Sequence, residues 1–278
     1  MTNIEKLHRA DMAILKEVIK ICDEHGLKYY ALGGTMLGAI RHKGFIPWDD
    51  DIDLGMPRED YEFFLKIAPS ALSKTLKLIN YKTDKDYHYY ITRIQDVETK
   101  VMENRYESEG KYTHVSIDIF PLDGSPDNSL LRKLYFLRLM IHRAMMALHY
   151  KNGIDKERKR DIVEKIFLRV ITLLPTDKMF NAYRQKEKID KILKKYDMWT
   201  SVVSGNIMGA YRTVEMIPTA WYGKEAFYQF EDIKIRGIKE YDKYLHHLYG
   251  DYMQLPSVNA RKIHFRIVEI HGQKIEES

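Results

Sequence analysis

Apolar residues fall at Ile4, Leu7, Ile14, Leu15, Val18, Ile21 and Cys22. This spacing predicts an amphipathic helix with one polar exception in its stripe, Asp11, and Gly26 is placed to stop it. Leu27 to Leu32 reads as a strand broken by Gly33-Gly34, with a helix opening over Thr35 to Ile40. A basic loop from Arg41 leads to a short strand, Asp51 to Met56, and Pro57-Arg58 introduces a helix over Glu59 to Ala68. Leu76–Ile79, Tyr89–Gln95 and His114–Phe120 carry the alternation and β-branched content of strands, followed by a Pro/Gly/Asp loop from Pro121 to Asn128. The pattern then turns helical and strongly apolar, with interspersed arginines, over Ser129–Tyr150 and Asp155–Leu174. A third helix is expected from Lys178 to Lys195. Val202–Tyr211 reads as irregular or as a short strand, Phe227–Ile235 as a hairpin, and Tyr241–Tyr249 as a helix stopped by Gly250. This order predicts an α/β (α+β) core over residues 1–125, a helical subdomain over 126–197, and a mixed segment over 198–278 that completes the core.

Composition narrows the picture. With 45% hydrophobic and 31% charged residues, the 278-residue chain has the make-up of a soluble globular protein. Its single cysteine, Cys22, excludes an intramolecular disulfide and fits a reducing compartment. No apolar h-region follows Met1, so no signal peptide is expected. The longest run without charge, Met198–Tyr211, has 14 residues, short of the roughly 20 that a span needs. The expected location is cytoplasmic, soluble or peripheral at the inner face of the membrane. Charge is concentrated: residues 130–170 hold 11 Lys/Arg and 4 Asp/Glu, a net +7 in a chain of net +5. A basic block of this kind suits phosphates, an anionic membrane or simply water. No nucleic-acid-binding motif accompanies it, so no nucleic-acid partner is expected.

Candidate chemistry gathers between Tyr29 and Asp53, in YYALGGTMLGAIRHKGFIPWDDDID. Gly33-Gly34-Thr35 lies between a strand and a helix, where glycines let the backbone approach a phosphate and a helix N-terminus offers N–H groups. Asp51 and Asp53, two apart on a strand, leave the same face and form a hard-oxygen pair suited to Mg²⁺ or Mn²⁺. The calcium-loop alternative fails: with Asp49, Asp51 and Asp53 as its first ligands, the required glycine falls on Leu54 and the glutamate on Asp60. Asp118, amid Ser116-Ile-Asp-Ile-Phe120, is a carboxylate too costly to bury without a partner. A glycine turn, a paired-carboxylate strand and a third carboxylate on a later strand form the layout of a nucleotidyltransferase-like fold, a small mixed sheet flanked by helices.

The stretch GGTMLGAIRHKGFIPWDDDIDLGMPREDYE, Gly33 to Glu62, resembles the signature of the LicD family, whose relatives include the fukutin-related proteins. IDIFPLDG (117–124) and YGDYMQLP (249–256) resemble two further family blocks. The resemblance implies a metal-dependent transferase of phospho-alcohols. The donor would be CDP-choline or another CDP-alcohol, carrying ribitol or glycerol. The acceptor would be a sugar hydroxyl of a cell-surface glycan such as teichoic acid or lipopolysaccharide, lipid-linked or free, and CMP would be released. Carried over by position, Asp51, Asp53 and Asp118 would be catalytic and metal-binding, and Gly33, Gly34 and Thr35 would face the phosphates. Asp49 and Asp50 would shape the loop. After YGDYMQLP the chain reads Ser257-Val-Asn-Ala, a departure from the family pattern that leaves Arg261 and His264 without a role.

Arg41 is a further candidate for the diphosphate, because its fork matches phosphate oxygens. His42 and Lys43 share its loop, and Arg93 is a weaker candidate. Trp48 is the favoured aromatic platform for a quaternary ammonium. Three competing readings share parts of this pattern. A true nucleotidyltransferase would have the three carboxylates without the continuous RHKGFIPWDDDID block. A glycosyltransferase Asp-x-Asp site would lack the glycine turn and Asp118. A non-catalytic ligand-holding relative would lack carboxylates that are all present here.

Overall fold

The computed structural model describes residues 2–103, 112–150, 180–261, 263, 265–270 and 272–275. The expected helix over Asp155–Leu174 and the residue His264 lie outside the described residues.

Helix α1 (Asn3–Glu24) opens with Thr2 and Glu5 in a reciprocal capping box. It buries Leu7, Ile14, Leu15, Val18 and Ile21 against the sheet, and Asp11 with them. Strand β1 (Tyr30–Ala31) is only two residues long, because Leu32 already serves as the N-cap of α2 (Gly33–Arg41). Gly33 therefore opens the helix, at φ +48°, and does not merely interrupt a strand. Strand β2 (Asp53–Pro57) pairs antiparallel with β1 and runs directly into α3 (Arg58–Ala71). Strands β3 (Leu76–Ile79) and β4 (Thr92–Glu103) follow, then β5 (Tyr112–Gly124).

The central sheet has the order β1-β2-β5-β4-β10-β11, where β10 is Phe265–Ile270 and β11 is Gln273–Lys274. The β2–β5 pairing is parallel, whereas β4 is antiparallel to β5, β3 and β10. Strands β3 and β10 occupy successive stretches of one edge of β4, Arg93–Asp96 and Thr99–Glu103. The observed class is the mixed α/β sheet flanked by helices that the sequence predicts.

Three elements differ from expectation. Strand β5 runs through Pro121 to Gly124 where a loop is expected, because Pro121 and Leu122 stand in register with Met56 and Pro57 of β2. Its end pairs with β6 (Val203–Gly205), which in turn pairs with β7 (Met216–Pro218). Strand β2 begins at Asp53, so Asp51 precedes it, although the Ile52 carbonyl still accepts from Asp118 N–H at 2.8 Å. Strands β10 and β11 carry no clear alternation and were not expected.

Helix α4 (Ser129–His149) is capped by Asn128 and packs on α5 (Ala182–Leu193), which Asn181 caps. Tyr135, Leu139, Ile189, Ile192 and Leu193 form a second apolar cluster there. Buried ions tie it to the main sheet. Arg58 donates to both Asp123 oxygens at 2.7 and 2.5 Å and to Asp190 at 3.1 Å. Tyr90 donates to Asp190 at 2.7 Å, and Lys194 lies 2.8 Å from both Asp190 and Glu62. The hairpin β8 (Phe227–Phe230)–β9 (Ile233–Arg236) matches expectation, as does α6 (Tyr241–Tyr249), which stops at Gly250 with φ +67°.

Candidate functional site

The expected carboxylates group around Asp53, which lies against the first turn of α2. Asp53 and Asp118 are register partners on adjacent parallel strands. The Leu32 N–H donates to the Asp53 carbonyl at 3.0 Å, and the Asp53 N–H donates to Thr35 Oγ1 at 2.8 Å. Thr35 is thus buried and fastens α2 to β2, facing inward and not toward a ligand. Helix α2 has no side-chain cap, and its Gly33 N–H donates to the Tyr244 hydroxyl at 2.9 Å. The two glycines serve for different reasons. A Cβ on Gly33 would make only ordinary contacts, 3.4 Å from Asp53 Oδ2 and 3.6 Å from Tyr249 Oη, and its φ of +48° is what favours glycine there, whereas one on Gly34 would lie 2.4 Å from Asp49 Oδ2.

The four aspartates of the run take different places. Asp49 sets its carboxylate against Gly34, inside the candidate site, while its carbonyl bonds the His8 ring at 2.7 Å. Asp50 is buried and accepts from Phe265 N–H at 2.7 Å, joining the loop to β10. Asp51 and Asp53 carry the paired charges. Dense protein around Asp51, with Asp49, Asp118 and Asp50 nearby, pushes its carboxyl well above the usual carboxylate range, although the residue keeps solvent contact. Burial and the charges of Asp51 and Asp118 do the same to Asp53. Behind them is a cavity of about 50 Å³ lined by Asp11, Asp51, Arg93, Ser116 and Asp118, among others. Asp11 is 1% exposed, and its Oδ2 has no hydrogen-bond partner. A larger hollow of about 1130 Å³ lies along β4 and β10, but it contains none of the four aspartates, so chemistry and not size selects the site.

Arg93 stands directly across from Asp118 in the β4–β5 ladder and donates to its two oxygens at 2.8 and 3.3 Å. It is the carboxylate's partner, a role the sequence did not show. Arg41 donates to the Tyr252 carbonyl at 2.5 Å. Burial, and then the charge of Arg261, lower its pKa. The Arg261 guanidinium lies 4.6 Å from the centroid of Trp48, and His42 meets the same ring edge-on at 6.1 Å. The Trp48 face, expected to take a quaternary ammonium, is covered here by the chain's own Arg261.

Tyr211, Tyr244 and Tyr249 escaped the sequence reading. Tyr249 packs edge-on to Tyr211 at 5.7 Å and puts its hydroxyl beside Gly33. Its one available signal was the YGDYMQLP block. Asp11 also escaped, although it was visible as the polar exception in the α1 stripe.

Residues 26–147 match the family model described as "LicD/FKTN/FKRP, nucleotidyltransferase domain". The matched region contains every expected site residue. This region is similar to LicD-family domains. The chain is 29% identical over 250 residues to the lipopolysaccharide cholinephosphotransferase LicD of Haemophilus influenzae, covering 88% of this chain and 89% of that protein. It is also 42% identical over 52 residues to the ribitol 5-phosphate transferase FKRP of Homo sapiens, covering 19% of this chain and 10% of that protein. An uncharacterized protein of Rickettsia typhi is 28% identical over 131 residues, 46% of this chain and 40% of that protein. The relatives with named activities, the cholinephosphotransferase and the ribitol 5-phosphate transferase, both transfer substituted phosphate groups.

Hard carboxylate oxygens at Asp51 and Asp53, crowded by like charge, are a donor set suited to Mg²⁺ or Mn²⁺. Among the described residues, no group of three or more His, Cys, Asp or Glu side chains is placed to hold a metal ion, so a cation here would depend on the Asp51 and Asp53 carboxylates together with water or substrate oxygens.

Proposed function

We propose that the chain transfers a phospho-alcohol, phosphocholine in the first instance, from a CDP-linked donor to a sugar hydroxyl of a cell-surface glycan in the cytoplasm. The observation that carries this reading is the grouping of Asp49, Asp51 and Asp118 around Asp53, with Asp53 and Asp49 against the Gly33-Gly34 turn. Similarity to a cholinephosphotransferase over 88% of the chain supports it. The acceptor oxygen forms a bond to the phosphorus that bears the alcohol, and the bond from that phosphorus to CMP breaks. CMP leaves with the electron pair, and the hydroxyl proton passes to a carboxylate. Asp118, held in orientation by two bonds from Arg93, is suited to receive it. Asp51 and Asp53 would hold Mg²⁺ or Mn²⁺, which when bound offsets charge on the diphosphate. The glycine turn gives the donor room to approach. Arg41, with the charge of Arg261 acting on it, would supply positive charge to the diphosphate. The Trp48 face suits the quaternary ammonium of choline once Arg261 moves toward phosphate. The related reading, ribitol or glycerol phosphate transfer, keeps every one of these roles except that of Trp48.

The test has two arms. Mg²⁺ should raise the melting temperature of the wild type, by an amount equivalent to about 2.7 kcal/mol at a hundredfold excess over Kd. It should leave the Asp53→Asn variant unmoved. CMP release is then measured with CDP-choline, CDP-ribitol and CDP-glycerol, each with glycan acceptors. Equal Mg²⁺ stabilisation of both proteins would overturn the metal assignment. Release from none of the donors would overturn the transfer assignment.

A further inference from the structure

Helix α4 has two opposed faces. Tyr135 and Leu139 point into the second apolar cluster. On the other side Leu130, Leu134, Leu137 and Ile141 are exposed by 65, 54, 57 and 46%. Their spacing of four, three and four residues aligns them in one stripe about three turns long. An apolar stripe of this length facing water is not explained by the core, and contiguous patches of this kind mark interaction surfaces. The charge of the same helix indicates the partner. Between Ser129 and His149 the chain has four Arg/Lys residues and neither Asp nor Glu. Arg132 and Arg143 are engaged with backbone carbonyls of the protein. Lys133 and Arg138 are exposed and flank the stripe, one on each side. An apolar ridge with an exposed cation on each side matches a bilayer surface, where leucines enter the acyl boundary and long cationic side chains reach back to anionic headgroups. No helix among the described residues is long and apolar enough to cross a membrane, so the contact is one of lying on the surface.

We propose that the exposed face of α4 docks the protein on anionic membrane. The inference does not depend on which alcohol is transferred, and its test needs no activity. The full chain is floated with phosphatidylcholine vesicles, with and without phosphatidylglycerol, at low and high salt. Wild type should float with the anionic vesicles at low salt, less at high salt, and not with the neutral ones. The Leu134→Asp/Leu137→Asp variant should lose flotation. The Lys133→Gln/Arg138→Gln variant changes only exposed side chains, and each lost cation should weaken partition about fivefold. Thermal melts matching the wild type establish that both variants are folded. Absence of flotation by wild type, equal flotation with neutral vesicles, or flotation by the charge variant at wild-type strength would overturn the proposal. So would light scattering that finds a dimer which Leu134→Asp/Leu137→Asp separates, because the stripe would then be an interface between copies.

Discussion

Replacing Gly34 with alanine sets helix propensity against the acidic patch. The added methyl would lie 2.4 Å from Asp49 Oδ2 and 3.4 Å from its Cγ, about 1 Å inside ordinary contact with the oxygen. The Asp49 backbone cannot readily yield. Its N–H donates to the Ile46 carbonyl at 2.9 Å, and its own carbonyl is bonded to His8 at 2.7 Å. The carboxylate must swing away. For stability, exchanging glycine for alanine in a helix is worth up to about 1 kcal/mol, and an off-rotamer aspartate costs about 0.5–1.5 kcal/mol. The two nearly cancel, so the melting temperature should move by no more than about 3 °C. Activity should respond differently, because a displacement of about 1 Å in a positioning group costs roughly a hundredfold in rate. The assay is kcat/KM for CMP release beside a thermal melt. Gly33→Ala gives the contrast: at φ +48° it should lose about 1–2 kcal/mol of stability through backbone strain. A Gly34→Ala protein that melts like wild type and turns over within a few-fold of it would refute the placement of Asp49 and Gly34 in the working site.

Two further predictions concern stability. Arg58→Ala leaves Asp123 and Asp190 without their shared counter-ion, with Asp123 only 1% exposed. Denaturant unfolding should show a loss of about 3–5 kcal/mol, and a loss below about 1 kcal/mol, the range of a surface pair, would refute the buried-network reading. Burial pushes the pKa of Glu215 up to about 7, against opposing hydrogen bonds from Tyr211 N–H and Asn206. The fold therefore favours its protonated form. That contribution is complete below the ordinary value of 4.5 and is lost as pH rises through about 7. Its ceiling is about 3 kcal/mol at 1.36 kcal/mol per pH unit. Glu215→Gln should flatten the decline in melting temperature across this window, and parallel curves for the two proteins would rule the assignment out.

Local signals made the framework legible. The α1 stripe, the Gly33-Gly34 punctuation, the strand that starts at Asp53 and Asp118 between isoleucines each follow from rules acting over a few residues. The pairing of Arg93 with Asp118 was not legible, because register across β4 and β5 is set by the whole sheet. Nothing within a few residues of Arg93 distinguishes a phosphate ligand from a carboxylate's partner. The same limit explains Asp49 and Asp50. They are neighbours of the same type in one run, and only the approach of Gly34 to one and Phe265 to the other separates their roles. Pro121 misled for a related reason: proline signals a loop locally, whereas here the parallel ladder with β2 carries the strand through it. The guanidinium of residue 261 that covers the Trp48 face could not be foreseen, because the two residues are brought together only by the fold.

The bond from Phe265 to Asp50 spans 215 residues. A ribosome adding about 5–20 residues per second needs roughly 10 to 40 s to cover that interval. Throughout it, the most acidic stretch of the nascent chain lacks the strand that will hold it from behind. The glycine turn, the parallel β2–β5 ladder and Arg93 can assemble while synthesis continues. The loop bearing Asp49 to Asp51 gains its last anchor only when β10 reaches the free edge of β4. Final assembly of the site thus waits for synthesis of β10, and an incomplete chain stalled before residue 265 would carry its carboxylates without the β10 anchor that Asp50 receives in the finished fold.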